Sequence, residues 1–153
     1  RLFGKDIFAS AGLNLQAITV SGRPYTATTL PTRFGGSGTK GQINGARLPW
    51  NFTLNLRVDK SFQLSKPDAA RNLSLNIYLR VQNLLDQRNV LRVYSASGAA
   101  NDDGYLASPL GQSDVQGNTQ NVEAFLSSYQ WRLLNSDFYS LPRRIFLGAE
   151  FFF

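Results

Sequence analysis

The chain has 153 residues, 42% of them apolar and only 17% charged, with a formal net charge of +6. It contains neither Cys nor His, which excludes disulfides, Cys nucleophiles, zinc sites built on thiolate or imidazole, and Ser-His-Asp triads within it. Of the ten acidic residues only Asp102 and Asp103 are adjacent, which leaves little for paired-carboxylate catalysis, and the chain is not expected to be an enzyme.

No apolar run approaches the roughly 18 residues that a transmembrane helix needs. The first residues, Arg1 to Asp6, lack the apolar segment of a signal peptide. With no Met anywhere, the chain is expected to be a piece of a longer or processed polypeptide. The positive charge suits anionic surroundings, either phosphate-bearing lipid or nucleic acid. Arg and Lys are scattered rather than clustered, which turns the reading away from nucleic acid.

In chain order, the first element is a strand over residues 7–20, with Ala9, Ala11, Leu13, Leu15 and Ala17 on one side and Ser10, Gly12, Asn14 and Gln16 on the other. The clearest strand covers 52–64. There Phe52, Leu54, Leu56, Val58, Phe62 and Leu64 share a face interrupted only by Lys60, opposite Thr53, Asn55, Arg57, Asp59, Ser61 and Gln63. A third covers 73–84, with Leu73, Leu75, Ile77, Leu79 and Val81 opposite Ser74, Asn76, Tyr78, Arg80 and Gln82. The fourth is the tail, 143–153: Ile145, Leu147, Ala149, Phe151 and Phe153 form a wholly apolar face, and Arg144, Phe146, Gly148, Glu150 and Phe152 a mixed one.

Strands of soluble proteins average about 5–6 residues, whereas membrane-crossing strands need about 9–11. All four candidates are near or above the second figure. The connections alternate as well. Residues 65–71 are a short link, while 21–50 and 85–142 are long, and compact soluble domains seldom hold two such loops. Outer-membrane barrels have short periplasmic turns and long extracellular loops. An all-β fold is therefore expected: an antiparallel transmembrane β-barrel segment of about four strands, with lipid on the apolar face and water on the polar one. Four strands cannot close a barrel, since the smallest single-chain ones have about eight. The segment is thus expected to belong to one larger barrel domain spanning residues 1–153 and beyond, or to an assembly of copies.

On this reading Arg57, Asp59, Tyr78, Arg80, Arg144 and Glu150 face the lumen, where charges usually pair with neighbouring strands or a plug; Arg57, Asp59 and Arg80 are the expected cluster. Trp50, Lys60 and Arg143 fall at the interfacial girdles, the two cations reaching toward lipid phosphates. Asp102 and Asp103, between Asn101 and Gly104, are candidate calcium ligands, against the commoner role of such a pair in a turn; no other cofactor is expected. Residues 35–41, GGSGTKG, lack the spacing and following helix of a phosphate loop and read as an external loop. Residues 122–134, the most apolar part of the last connection, are expected to be either a strand or a short helix.

A terminal Phe preceded by apolar residues at alternate positions (Ile145, Leu147, Ala149, Phe151, Phe153) resembles the C-terminal signature of bacterial outer-membrane barrels, which implies an assembly signal read by the barrel-assembly machinery. A finer likeness runs through Ser21-Gly22-Arg23-Pro24-Tyr25-Thr26, Asn44-Gly45-Ala46-Arg47-Leu48-Pro49-Trp50 and Val58-Asp59-Lys60-Ser61-Phe62. It continues through Val81-Gln82-Asn83-Leu84-Leu85-Asp86, Asn89-Val90, Asp102-Asp103-Gly104-Tyr105-Leu106 and Leu141-Pro142-Arg143-Arg144. In this order they resemble the C-terminal strands of TonB-dependent receptor-like proteins of Bacteroidota. The resemblance implies a barrel of about 22 strands in the bacterial outer membrane, and uptake of a nutrient. The implied partners are outer-membrane lipid and lipopolysaccharide, the remainder of the barrel and its plug, and TonB through the missing N-terminal part. With a bacterial origin, the glycosylation patterns at Asn51 and Asn72 are incidental. The alternatives from other classes are a scaffold barrel in a surface complex for secretion, motility or adhesion, an oligomeric barrel, and a soluble β-sandwich.

Overall fold

The computed structural model describes residues 9–30, 36–65, 71–117 and 121–153. Its elements are, in chain order, β1 (Ala11–Val20), β2 (Pro24–Tyr25), β3 (Ala46–Arg47), β4 (Asn51–Gln63), β5 (Ser74–Gln82), α1 (Pro109–Gly117), α2 (Val122–Leu133), a 3-10 turn at Ser136–Phe138, and β6 (Arg144–Phe152). Two compact units result. One comprises residues 1–19, 52–87 and 141–153, the other 20–51 and 88–140.

The first unit is an antiparallel four-stranded sheet in the order β1-β4-β5-β6. The four strands have 10, 13, 9 and 9 residues, and their ends match the expected elements to within a residue or two except at the start of β1. There Ala9 and Ser10 form a turn, with Ser10 at φ 57°; residues 7 and 8 lie outside the described residues. Leu56, Val58, Lys60 and Phe62 of β4 pair with Val81, Leu79, Ile77 and Leu75 of β5. Those in turn pair with Ile145, Leu147, Ala149 and Phe151 of β6. Since side chains alternate across a strand, this register gathers one apolar face, with Lys60 its one charge among the paired positions. Ser61 N–H donates to the Ser10 carbonyl at 2.9 Å and Asn55 Nδ2 to Gln16 Oε1 at 3.2 Å, which sets β1 antiparallel to β4.

Leu13, Leu147 and Phe153 are 75%, 77% and 87% exposed, and of the sheet's described apolar residues Val81 alone is buried. Among the described residues the apolar face of the sheet is therefore largely exposed, with Val81 its one buried residue. Antiparallel order brings the C-terminal ends of β1 and β5 and the N-terminal ends of β4 and β6 to the same end of the sheet, so both long connections leave from one end. Among the described residues β1 and β6 are its two edges, each with one strand neighbour.

Asn83 ends β5. It has φ 54°, tolerable for Asn, and is 6% exposed. Its backbone N–H donates to Asn55 Oδ1 at 3.0 Å, its Nδ2 to the Gln87 and Leu141 carbonyls at 3.0 and 3.1 Å, and its Oδ1 accepts from Gln87 N–H at 3.0 Å. Asp86, also at positive φ, accepts from Arg143 N–H at 2.8 Å. Asn83 and Asp86 thus tie the exit from β5 to the entry into β6.

The second unit departs from the all-β expectation by its two helices. α1 opens with Ser108 Oγ accepting from Gly111 N–H at 3.1 Å and with Pro109 in the first turn, where a missing N–H costs nothing. Of the two alternatives for residues 122–134 the structure has the helix, over Val122–Leu133, with Leu134 as its extended C-cap. Asn121 Oδ1 caps it through Ala124 N–H at 3.0 Å, with Glu123 in the first turn and Arg132 in the last, both favourable to the helix dipole. Residues 36–41 precede no helix: Lys40 N–H donates to the Ala27 carbonyl, and Thr39 bridges Thr28. Gly35 lies outside the described residues. Among the described residues no helix is long and apolar enough to cross a membrane, which says nothing of strands.

Candidate functional site

The polar face of the sheet collects the charged residues singled out above. By register Arg57 stands opposite Arg80, Asp59 opposite Tyr78, Tyr78 opposite Gly148, Asn76 opposite Glu150 and Gln82 opposite Arg144. All six expected polar-face residues are therefore on one surface.

Their partners differ in part from the expected ion-pair cluster. Arg57 Nε lies 3.5 Å from Asp59 Oδ1, with both side chains partly exposed, a pair worth about 0–1 kcal/mol. The Arg57 guanidinium stacks over the Tyr78 ring at 4.6 Å. Arg80 is not drawn to Asp59; it lies over Phe146 at 4.9 Å, and Arg144 approaches the same ring at 5.9 Å. Phe146, an apolar residue at a polar-face position, is thus the platform for two cations, each contact worth about 0.5–1 kcal/mol at an exposed site. The sequence showed Phe146 only as a break in the polar pattern. Arg144 Nη2 also donates to Gln82 Oε1 at 2.8 Å.

Two glycines make room for these side chains. A Cβ on Gly12 would come within 2.7 Å of an Asp59 carboxylate oxygen, and one on Gly148 within 2.4 Å of the Tyr78 ring. Between the polar-face side chains is an open cleft of about 230 Å³ lined by Asn14, Gln16, Asn55, Leu56, Arg57, Arg80 and Gln82.

The expected girdle residues are placed as follows. Trp50, immediately before β4, is 71% exposed. Lys60 Nζ donates to the Ala9 carbonyl, and the ammonium lies 5.8 Å from the Phe62 ring centre. Arg143 Nη1 reaches the Leu84 carbonyl at 3.5 Å. Of the expected assembly signal, Ile145, Leu147, Ala149 and Phe151 lie on the apolar face of β6; the rings of Phe151 and Phe153 are 6.3 Å apart.

Asp102 and Asp103 belong to the second unit. Asp102 Oδ1 accepts from Gly104 N–H at 2.8 Å and Asp103 Oδ1 from Tyr105 N–H at 2.9 Å, two Asx turns in succession. Asp103 Oδ2 accepts from the Tyr129 hydroxyl at 2.5 Å. Both Asp103 oxygens thus serve donors, and among the described residues no three acidic, His or Cys groups gather as a metal site. The pair forms a turn. Around it Tyr94, Asp103, Tyr105, Asp114, Phe125, Tyr129, Arg132 and Leu133 line an open cleft of about 480 Å³. The Tyr105 and Tyr129 rings stack at 5.7 Å. Burial first, and then the bond to Asp103, push the Tyr129 phenol up, well above the ordinary range. The bond that Tyr105 donates to Asp114 raises its phenol as well.

Comparisons with family models, with curated proteins and with solved structures find no match to this chain.

Proposed function

We propose that the chain is a wall segment of an outer-membrane β-barrel of the TonB-dependent receptor-like kind, working in the uptake of a nutrient. The observation that carries this reading is the exposed apolar face that runs across β4, β5 and β6, backed by a polar face of Arg, Asp, Asn and Gln. In water such a face would be an aggregation liability. In a bilayer it is the outward band of a barrel wall, and the polar face is the lumen side. Strand lengths of 9 to 13 residues suit a tilted crossing.

Completion of the barrel requires strands beyond these four, and energised uptake requires a plug that engages TonB. This chain's own contribution is wall strands, their connections and, on the resemblance, the tail that the assembly machinery reads.

The test is the mass of the intact polypeptide that carries this segment, extracted from outer membrane in detergent. A mass several times 17.0 kDa, with a plug sequence upstream, is the expected result. A long barrel without a plug would leave the wall and remove the transport role, in favour of a structural barrel. Extraction without detergent would overturn the membrane reading altogether.

A further inference from the structure

The cleft on the polar face is unusual in what its amides are doing. Asn83 offers a backbone N–H, which can only donate, so the atom of Asn55 that meets it is the carbonyl oxygen. The other end of Asn55 is then its NH2 group, and it donates to Gln16, whose oxygen accepts. That leaves the Gln16 NH2 group with no partner among the described residues. Arg144 likewise can only donate, so Gln82 meets it through oxygen and keeps its NH2 group for the cleft. Two donor-only ends thus fix the orientation of three amides, consume their acceptors and leave donors.

Charge points the same way. Arg57 and Arg80 are directly opposed on neighbouring strands, an arrangement that costs stability unless an anion lies near both. Asp59 serves Arg57 through Nε, Arg80 rests on an aromatic ring, and among the described residues no carboxylate lines the cleft. Guanidinium groups present several N–H donors in a fixed plane that suits oxyanions.

We propose that the polar-face cleft formed by Gln16, Asn55, Arg57, Arg80 and Gln82 is a binding site for an oxyanion, phosphate being the type case, presented by a small solute. At about 230 Å³ it has room for one such group and some water. The site stands on the geometry of the sheet and does not require the barrel to transport.

The experiment uses the intact protein carrying this chain, purified in neutral detergent and titrated calorimetrically with inorganic phosphate at constant ionic strength, with chloride as the reference. Saturable phosphate binding is expected. Gln16→Glu and Gln82→Glu each keep the internal bond, from Asn55 and Arg144 respectively, while replacing a donor by a negative charge. Each is expected to weaken binding about tenfold or more, with the circular dichroism spectrum unchanged. Arg132→Gln, in the other unit, is expected to leave binding as it was. A parallel titration with a sugar phosphomonoester separates the sources. Binding of inorganic phosphate identifies the free anion, and binding of the ester alone identifies a phosphorylated solute. Absence of both, or binding that both Gln→Glu variants leave intact, overturns the site, and neither outcome touches the membrane reading.

Discussion

The Tyr78 ring lies over Gly148, its cross-strand partner, so closely that a methyl group on residue 148 would stand 2.4 Å from Cζ. The same ring carries the Arg57 guanidinium on it. The glycine therefore gives the ring its seat, and the ring positions the cation. Gly148→Ala is expected to force the ring up and destabilise the sheet by about 1–3 kcal/mol, the usual cost of overpacking. Urea unfolding in detergent measures it. With Tyr78→Ala already present the same change should cost nearly nothing, because the clash is gone.

Asn83 is the second structural dependency. Its side chain holds Gln87 and Leu141 at once, and its backbone sits at φ 54°. Asn83→Ala removes three hydrogen bonds and places Ala in the left-handed region, where Asn is tolerated and Ala is not favoured. A loss of about 2–4 kcal/mol is expected by summing these effects. Hydrogen exchange should locate it at the start of β6, with faster exchange at Arg143 and Arg144 than in β4.

The apolar face makes a prediction about lipid. Leu147 lies on the apolar face at mid-strand beside Leu79, the side that the proposed barrel turns to lipid. Leu147→Arg is expected to cost about 2–4 kcal/mol of insertion stability, the penalty measured for cations at the bilayer midplane. Arg placed at Asn76, on the opposite face, should cost far less. Refolding into vesicles, read by retention of the compact band in unheated gel samples, distinguishes the two. Equal losses from both would argue against lipid on the apolar side.

The raised Tyr129 phenol gives a pH dependence with a defined sign. In the unfolded chain a Tyr loses its proton near pH 10. In the folded unit burial and Asp103 hold the proton on. The corresponding stability is fully present below about pH 10 and falls as pH rises above it, because there the unfolded state binds fewer protons. Thermal unfolding from pH 8 to 11 should show a decline that Tyr129→Phe reduces. The phenolate absorbance of the folded protein should appear later in that variant's parent than in the unfolded chain.

The four long strands and the sorting of their faces were legible in the sequence. Period-two alternation is a local property, and the residues of β4, from Phe52 to Gln63, carry it almost without interruption. What could not be read was register. That Arg57 meets Arg80, and that Phe146 takes two cations, depends on how far strands slide against one another, which no single strand encodes. Of the two helices, α2 was one of the two alternatives read for residues 122–134, whereas α1 was missed for a different reason. Residues 109–117 have few apolar side chains to mark a helical face, although Ser108 followed by Pro109 is a start signal visible in the sequence. For Asp102 and Asp103 the turn weighed in the sequence is present, but that Tyr129 bonds Asp103 from a helix 26 residues on was not legible.

The edge strands β1 and β6 have a consequence for timing. Among the described residues each pairs on one side only, so along its free side every second N–H and C=O points at nothing within the sheet. In hydrocarbon each such group costs several kcal/mol. Four strands are therefore barred from entering a bilayer by themselves, however apolar their outer face. Their free edges have to be met by neighbouring strands before, or while, they leave water. On the proposed barrel reading, membrane entry of this segment would be an event of the whole wall, and a defect in a strand far away in the sequence would stall it here.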